Sequence, residues 1–76
     1  MRDLLAEIAK QMVDYPDQVR VKEIDDVPTI VYELSVAQQD LGKIIGSKGR
    51  NIGAIRTIMM GVSGKIKKRI VVELVE

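Results

Sequence analysis

The feature that most constrains this chain is a pair of glycines, Gly46 and Gly49, placed between two apolar segments. Residues 44–52 read Ile-Ile-Gly-Ser-Lys-Gly-Arg-Asn-Ile. The first glycine can end one helix in a left-handed conformation, and the second can open another helix without a side chain in the way. Such a junction exposes backbone N–H groups and a helix N-terminus, which suits a phosphate. Because Lys48 and Arg50 lie beside it, we predict that the ligand is a nucleic-acid backbone.

Composition limits how the chain can be stabilised. Its 76 residues predict a single domain over residues 1–76, near the lower size at which a chain folds without crosslinks. Cys and His are absent, so disulfides and the usual zinc sites are excluded, and we expect no metal and no cofactor. Phe and Trp are also absent, so the core must be aliphatic. No stretch has the length of a membrane span and the N-terminus is unlike a signal peptide, so we expect a cytoplasmic protein.

The net charge of +1 conceals an uneven distribution of charge along the chain. Residues 1–40 hold nine acidic and four basic residues, whereas residues 41–72 hold eight basic residues and no acidic one. An acid-free segment concentrates positive potential around the glycine pair, as expected of an anion-binding surface. The alternative, that the basic run at residues 65–69 is only a solvated surface, stays open.

The first half of the chain predicts a helix followed by two strands. Apolar residues recur at helical spacing over residues 2–14. Alternating apolar and polar residues predict strands at residues 19–22 and 29–36, joined by a turn at residues 25–28. These strands should form an antiparallel hairpin with one buried face. The end of the first strand stays open because Glu23 interrupts the alternation.

The second half predicts two helices and a last strand. A short helix over residues 37–45 ends at Gly46, and a second helix over residues 50–60 ends at Gly61 and Gly64. A strand follows at residues 69–75. The order α-β-β-α-α-β predicts an α+β two-layer sandwich, with three helices covering one face of a three-stranded sheet. The predicted inward residues are Ile30, Tyr32, Leu34 and Val36 on the second strand, Ile52, Ile55, Met59 and Val62 on the last helix, and Ile70, Val72 and Leu74 on the last strand.

Other glycine-rich phosphate loops fail on spacing. A Walker loop needs a glycine, four residues and then Gly-Lys-Ser/Thr, but counting five on from Gly42 reaches Ser47. A dinucleotide fingerprint needs Gly-x-Gly-x-x-Gly after a strand, whereas this loop follows a predicted helix. Helix, Gly-x-x-Gly and helix is instead the order found in a KH domain, whose loop clamps about four nucleotides of single-stranded backbone.

Over its whole length the chain resembles the small bacterial type II KH proteins of the KhpA family. The resemblance is carried by Tyr15-Pro16-Asp17 before the first strand and by Asp-Leu-Gly-Lys-Ile-Ile-Gly-Ser-Lys-Gly-Arg-Asn-Ile-Gly-Ala-Ile-Arg-Thr-Ile, residues 40–58, after the second. It implies a type II KH fold, non-catalytic RNA binding as an RNA chaperone or post-transcriptional regulator, and homodimerisation or pairing with a larger KhpB-like partner. In that family the pair is tied to RNA metabolism and to control of cell elongation or division.

The candidate RNA-binding residues surround the glycine pair. Gly46 and Gly49 shape the loop so that its backbone can touch phosphate. Ile45 and Ile52 flank the loop and serve either as an apolar floor for bases or as core. The predicted RNA-binding set is Lys43, Ile45, Gly46, Ser47, Lys48, Gly49, Arg50, Ile52 and Arg56, with Lys65, Lys67, Lys68 and Arg69 as a secondary contact.

The helix over residues 50–60 is apolar beyond its core stripe. At 100° per residue Ile58 and Met60 lie roughly 80° and 120° from the centre of that stripe, and Ala54 lies near them. Ala54, Ile58 and Met60 therefore form a candidate dimer interface, unless Ile58 is simply the edge of the core. An alternative function is a protein–protein adaptor that presents this helix and in which RNA binding is vestigial. An enzyme is poorly supported, because His and Cys are absent and no paired acids lie near the loop.

Overall fold

A computed structural model describes residues 2–26 and 28–75 and confirms the element order α-β-β-α-α-β. The helices are α1 (Arg2–Lys10), α2 (Leu41–Ile45) and α3 (Arg50–Ile66). The strands are β1 (Arg20–Asp26), β2 (Thr29–Ser35) and β3 (Arg69–Leu74). Short 3₁₀ turns occupy Pro16–Gln18, Gln38–Asp40 and Ser47–Gly49. None of the helices in the described ranges is long and apolar enough to cross a membrane.

The three strands form one sheet in the order β1-β2-β3, with β2 in the middle. β1 and β2 pair antiparallel, which confirms the predicted hairpin, and β3 pairs parallel to β2 after the α2–α3 crossover. β1 extends to Asp26, beyond the predicted end at residue 22, because it pairs with β2 along its whole length although most of its side chains are exposed. The predicted turn is therefore shorter than expected, and its Val27 lies outside the described residues.

The core lies between the helices and one face of the sheet. The inward faces of β2, α3 and β3 are confirmed as predicted, except that Val36, Val62 and Leu74 are only half-buried at the margin. The fully buried Tyr32 fills the centre, and burial together with the neighbouring Glu23 raises the pKa of its hydroxyl to about 12. The buried apolar cluster is formed by Leu5, Ala9, Val19, Ile30, Tyr32, Leu34, Ile44, Ile52, Ile55, Met59, Ile70 and Val72.

Helix α1 ends at Lys10, four residues before the predicted end, because a buried carboxylate accepts hydrogen bonds from the backbone that follows. The N–H groups of Asp14 and Tyr15 donate to the two carboxylate oxygens of Asp40, at 3.2 and 3.0 Å. Asp40 is fully buried just before α2. These bonds replace the carbonyl partners that a longer helix would have offered, and they tie the end of α1 to the start of α2.

The predicted helices at residues 37–45 and 50–60 both have different bounds in the structure. The first begins as a 3₁₀ turn and becomes α-helical only at Leu41. The second, α3, does not end at Gly61 or Gly64 but continues to Ile66. Glycine costs about 1 kcal/mol in a helix interior, which is too little to end a helix whose inner face packs on β3. The helix ends instead where Lys67 adopts a left-handed conformation.

Candidate nucleic-acid interface

The loop between α2 and α3 is shaped first by Gly46. Its φ of 74° and ψ of 174° fall in a region that is essentially restricted to glycine. A Cβ atom at this position would also lie 2.5 Å from Cγ of Asn51, closer than real contacts allow. Both the backbone conformation and the crowding therefore require glycine at position 46.

Asn51 holds the loop in this shape and was missed by the sequence analysis. Its Nδ2 donates to the carbonyl oxygen of Lys43 at 2.7 Å. That carbonyl belongs to the last turn of α2, whose carbonyls lack helical partners, so the bond joins the end of α2 to the start of α3. The sequence feature that could have identified Asn51 is its position: an amide side chain in the first turn of a helix that follows a glycine loop.

The second half of the loop is left-handed at two successive residues. Lys48 has φ 57° and ψ 27°, and Gly49 has φ 74° and ψ 17°. A Cβ atom at Gly49 would meet no atom of the described residues within 4 Å. Gly49 is therefore required by conformation rather than by crowding inside the protein, and the space beside it is open to a ligand. Lys48 accepts the same conformation at a cost of about 1–2 kcal/mol.

The loop offers backbone donors at the N-terminus of α3. The N–H of Gly49 donates to the carbonyl of Gly46 at 3.2 Å, and the N–H of Arg50 donates to the carbonyl of Ser47. Within the described residues, the N–H groups of Ser47 and Lys48 donate no hydrogen bond. Unsatisfied N–H groups and the positive end of a 17-residue helix together form an anion-binding concavity.

The basic side chains around this loop differ in how they are used. Lys48 and Arg50 are exposed and form no ion pair with any residue that the structure describes. Lys43 instead pairs with Asp14, and its Nζ lies 3.9 Å from Oδ1 of the buried Asp40. The hydrogen bond from Lys43 to Asp14 raises the pKa of Lys43. Lys48 and Arg50 are thus available to a ligand, while Lys43 is held towards the segment after α1.

Arg56 points to the edge of the sheet. Its Nε donates to the carbonyl oxygen of Val72 on β3 at 3.2 Å. Between α3 and β3 lies a shallow cleft of about 160 Å³, lined by Arg56, Met60, Ile70, Val71 and Val72. Since β3 is an edge strand, this cleft offers apolar surface, exposed backbone and a guanidinium group to one flat ligand group.

The remaining predicted contacts are only partly brought together. Ile52 is buried in the core, whereas Ile45 is half-buried beside the loop. The secondary basic cluster is divided: Lys65 lies in the last turn of α3, but Arg69 pairs with Thr29 and therefore has its side chain on the sheet face away from the helices.

The candidate dimer residues are exposed but lie on two sides of α3. Ile58 is 48% exposed and Met60 is 66% exposed, so neither belongs to the core. Two helical residues that are two positions apart differ by roughly 200° around the axis. Met60 accordingly lines the cleft with Arg56, and Ala54 shares the side of Ile58, about 40° away.

The chain is similar to known proteins over nearly its whole length. Residues 2–74 match the family described as KhpA/KhpB, KH domain. The chain is 49% identical over 76 residues to the RNA-binding protein KhpA of Chlamydia pneumoniae, covering all of this chain and 97% of that protein. It is 47% identical over 75 residues to the RNA-binding protein KhpA of Clostridium acetobutylicum, covering 99% of this chain and all of that protein.

Two solved structures share the fold at low sequence identity. One is a variant of Aquifex aeolicus Era bound to GDP.AlF4-, with a TM-score of 0.64, and the other is Era with MgGDPNP and nucleotides 1506–1542 of 16S ribosomal RNA, with a TM-score of 0.66. Each is 19% identical and covers 96% of this chain, which spans only 28% of the Era chain. The similarity supports the predicted type II KH fold.

Proposed function

Because the chain belongs to the KhpA/KhpB family of KH domains, we propose that it binds single-stranded RNA through the GxxG loop, residues 46–49. The observation that carries the proposal is the loop itself: the N–H groups of Ser47 and Lys48 at the N-terminus of α3, and the cations of Lys48 and Arg50 beside them, have no partner among the described residues. The curated relatives are named for RNA binding, not for a reaction. The protein acts by binding, without catalysis.

Two parts of the site would contact different parts of the RNA, its phosphates and its bases. The loop contacts successive phosphates through its backbone, with Lys48 and Arg50 neutralising charge. The cleft beside β3 receives a base, which packs on aliphatic side chains and meets the guanidinium of Arg56. Phe and Trp are absent, so base stacking on aromatic rings contributes little and sequence preference is loose. Phosphate contacts then supply most of the affinity.

The test measures binding of a fluorescent single-stranded RNA across a salt series. Wild type is compared with the double variant Ser47→Asp/Lys48→Asp, which places two carboxylates on the loop. We expect wild-type affinity to fall steeply with salt, because phosphate binding releases counterions, and the variant to lose binding. Circular dichroism checks that the variant is folded.

The control is Lys65→Asp/Lys67→Asp, which reverses charge at the other end of α3 and lowers the net charge by one unit more than the loop variant does. If this control loses as much affinity as the loop variant, binding follows overall charge and the loop is not the clamp. If a folded loop variant binds as well as wild type, RNA contacts lie elsewhere. Competition with single-stranded DNA of the same sequence then reports whether the 2′-hydroxyl contributes.

The protein also acts as a homodimer or as the smaller subunit of a heterodimer with a KhpB-like protein, through the apolar patch of Ala54 and Ile58 on one side of α3. Met60, the third predicted interface residue, lies on the other side of the helix, in the cleft with Arg56. Two linked sites bind one RNA more tightly than either alone, without new contacts. The exposure of Ile58 supports this assembly. We expect Ile58→Asp to convert a dimer to a monomer in sedimentation velocity; an unchanged mass in the folded variant would contradict it.

The same exposed patch favours a second candidate function, an adaptor that presents α3 to a protein partner while RNA binding is vestigial. An adaptor would keep its partner when the loop carries Ser47→Asp/Lys48→Asp, and it would lose the partner with Ile58→Asp. The RNA-binding function would be lost in the loop variant and would persist in Ile58→Asp, at the lower affinity of a single site. A cytoplasmic location and a role as RNA chaperone or in control of cell shape and cell-wall organisation stay predictions.

A further inference from the structure

The face of the sheet that points away from the helices has a regular pattern. Side chains opposite each other in paired strands lie on the same face, and alternate residues face opposite ways. Because Ile30 and Ile70 are buried under the helices, their neighbours Val31 and Val71 lie on the open face. By the same registers Ile24, opposite Val31, lies there too. Among the described residues, no helix packs on this face.

Three rows of side chains cross the open face, each running over β1, β2 and β3 in turn. The middle row is apolar and consists of Ile24, Val31 and Val71. The row on one side is charged and consists of Lys22, Glu33 and Glu73. The row on the other side consists of Asp26, Thr29 and Arg69. Ile24 is 39% exposed, so the apolar row is open to contact at the β1 edge.

The two outer rows are complementary to each other in charge. Lys22 and Asp26 occupy the same strand on either side of Ile24, and Glu73 and Arg69 do the same around Val71. In each of these two strands the charge on one side of the apolar row is opposite to the charge on the other side. A twofold axis that lies in the face along the apolar row exchanges the outer rows between two molecules.

We propose that this open face binds a second copy of the chain, sheet against sheet, about a twofold axis along the row Ile24–Val31–Val71. Each apolar residue then meets its own counterpart, as a twofold interface requires. Lys22 of one copy faces Asp26 of the other, and Arg69 faces Glu73. Glu33 faces Thr29, so its charge meets a hydroxyl. Pairs of sheets pack this way with their strands about 30° apart.

The charges also select this axis over the other one that the face allows. With a twofold axis parallel to β2, each row of one copy would face the same row of the other copy, and Glu33 would face Glu33. Like charges directly opposite each other across sheets destabilise the contact. The axis parallel to β2 would also give four opposite-charge contacts, Lys22 with Glu73 and Asp26 with Arg69. The Glu33 pair alone therefore distinguishes the two axes, and the axis along the apolar row avoids it. Complementary rim charges fix the geometry more than they raise the affinity.

The size of the face sets the strength of the contact. Three strands about 4.8 Å apart, two of them seven residues long and β3 six, cover roughly 14 by 22 Å, or roughly 600 Å² for both copies together. Stable dimers bury about 1,200–2,000 Å², so this association is weak and reversible. The GxxG loop and the Ile58 patch belong to the helical layer, so this interface leaves both accessible. The inference does not rest on the RNA-binding proposal, although Val71 also lines the cleft beside β3 and Arg69 belongs to the predicted secondary RNA contact.

The test uses two charge reversals that complement each other only between molecules. All proteins carry Ile58→Asp, so that α3 contributes no association. Lys22→Asp alone sets two carboxylates against each other across the axis, and Asp26→Lys alone sets two ammonium groups against each other. In an equimolar mixture of the two variants, the new carboxylate of one faces the new ammonium group of the other. Sedimentation equilibrium over a range of about 0.05–1 mM measures the dissociation constants.

We expect each single variant to dimerise at least tenfold more weakly than the Ile58→Asp parent, and the mixture to recover the dimerisation of the parent. The matched control mixes Glu7→Lys with Lys10→Asp, which carry the same net charges on α1, away from the open face; it must not associate more than the parent. The proposal is overturned if the parent stays monomeric, if the single variants dimerise like the parent, or if the mixture does not recover. Circular dichroism of each variant confirms the fold.

Discussion

The two ends of α3 have similar sequences and opposite chemistry. Each end is basic, with Lys48 and Arg50 at the N-terminal end and Lys65 and Lys67 at the C-terminal end. Each end also holds a lysine in the left-handed conformation, Lys48 with φ 57° and Lys67 with φ 56°. At the N-terminal end the backbone presents N–H groups, and at the C-terminal end it presents carbonyls. Charge alone does not distinguish the two ends, whereas the direction of the backbone does.

The comparison shows which feature makes a phosphate site out of a basic surface. At the N-terminal end the lysine charge, the helix dipole and the N–H groups all attract an anion. At the C-terminal end the carbonyl dipoles repel a phosphate and attract the lysines themselves, so these cations stabilise the helix. The GxxG loop is therefore the expected clamp, and the basic run at residues 65–69 adds a diffuse field.

The sharpest way to test this difference is to compare one glycine from each end. Gly46→Ala forces a side chain into a glycine-only conformation and against Asn51, which we expect to cost about 1–3 kcal/mol of stability. RNA affinity should fall about tenfold or more, because about 1.4 kcal/mol of lost binding free energy is a factor of ten. Thermal unfolding and RNA binding measure the two effects.

Gly64→Ala is the counterpart at the C-terminal end. Gly64 lies within α3, and a Cβ atom there would have no neighbour within 4 Å in the part of the chain that the structure describes. Alanine should stabilise the helix by up to about 1 kcal/mol and leave RNA affinity unchanged. If Gly46→Ala has the same thermal stability and the same RNA affinity as Gly64→Ala, the conformation assigned to the loop is wrong.

A smaller effect is expected when the two left-handed lysines are each replaced by glycine. Both Lys48→Gly and Lys67→Gly relieve backbone strain, so each should raise the free energy of unfolding by roughly 0.5–1 kcal/mol. Only Lys48→Gly should weaken RNA binding, with the slope of log affinity against log salt reduced by about 0.7. Equal losses of affinity in the two variants would mean that the ends of α3 contribute alike.

The smallest effect concerns Lys43, which precedes the loop but is paired with Asp14. Asp14→Asn removes the competing carboxylate and leaves the backbone N–H of residue 14 on Asp40. We expect RNA affinity at low salt to rise a few-fold and the salt slope to steepen by up to about 0.7, because one more cation reaches phosphate. Asp17→Asn, a change of the same charge outside the pair, is the control. Identical slopes for the two variants would exclude Lys43 from the site.

The sequence predicted those parts of the molecule that depend on local pattern. The alternation at residues 29–36 identified the inner face of β2, and the spacing of Ile52, Ile55 and Met59 identified the core stripe of α3. The glycine pair placed the loop between two helices. These features follow from side-chain periodicity and from the conformational freedom of glycine, both of which are visible in a single sequence.

The features that sequence reasoning missed depend on partners distant in the chain. The end of α1 is set by Asp40, 26 residues after Asp14. The length of β1 is set by its pairing with β2 and not by burial. Because most side chains of this edge strand are exposed, its sequence shows little alternation of apolar and polar residues. The continuation of α3 through Gly61 and Gly64 reflects packing on β3, which outweighs a weak local preference.

The buried carboxylate of Asp40 has a consequence for how the domain can be divided. A fragment that starts at β1 would retain the sheet, the GxxG loop and both helices around it. It would therefore contain every element of the proposed RNA-binding site. It would also leave Asp40 facing the space that the N–H groups of Asp14 and Tyr15 had filled. The fragment would lose two hydrogen bonds to a charged acceptor, each contributing about 1.5–3 kcal/mol, and the loss would fall at the start of α2, one helix away from the expected RNA clamp. The segment that precedes β1 thus stabilises α2 and the loop that follows it, and we expect its removal to weaken the site.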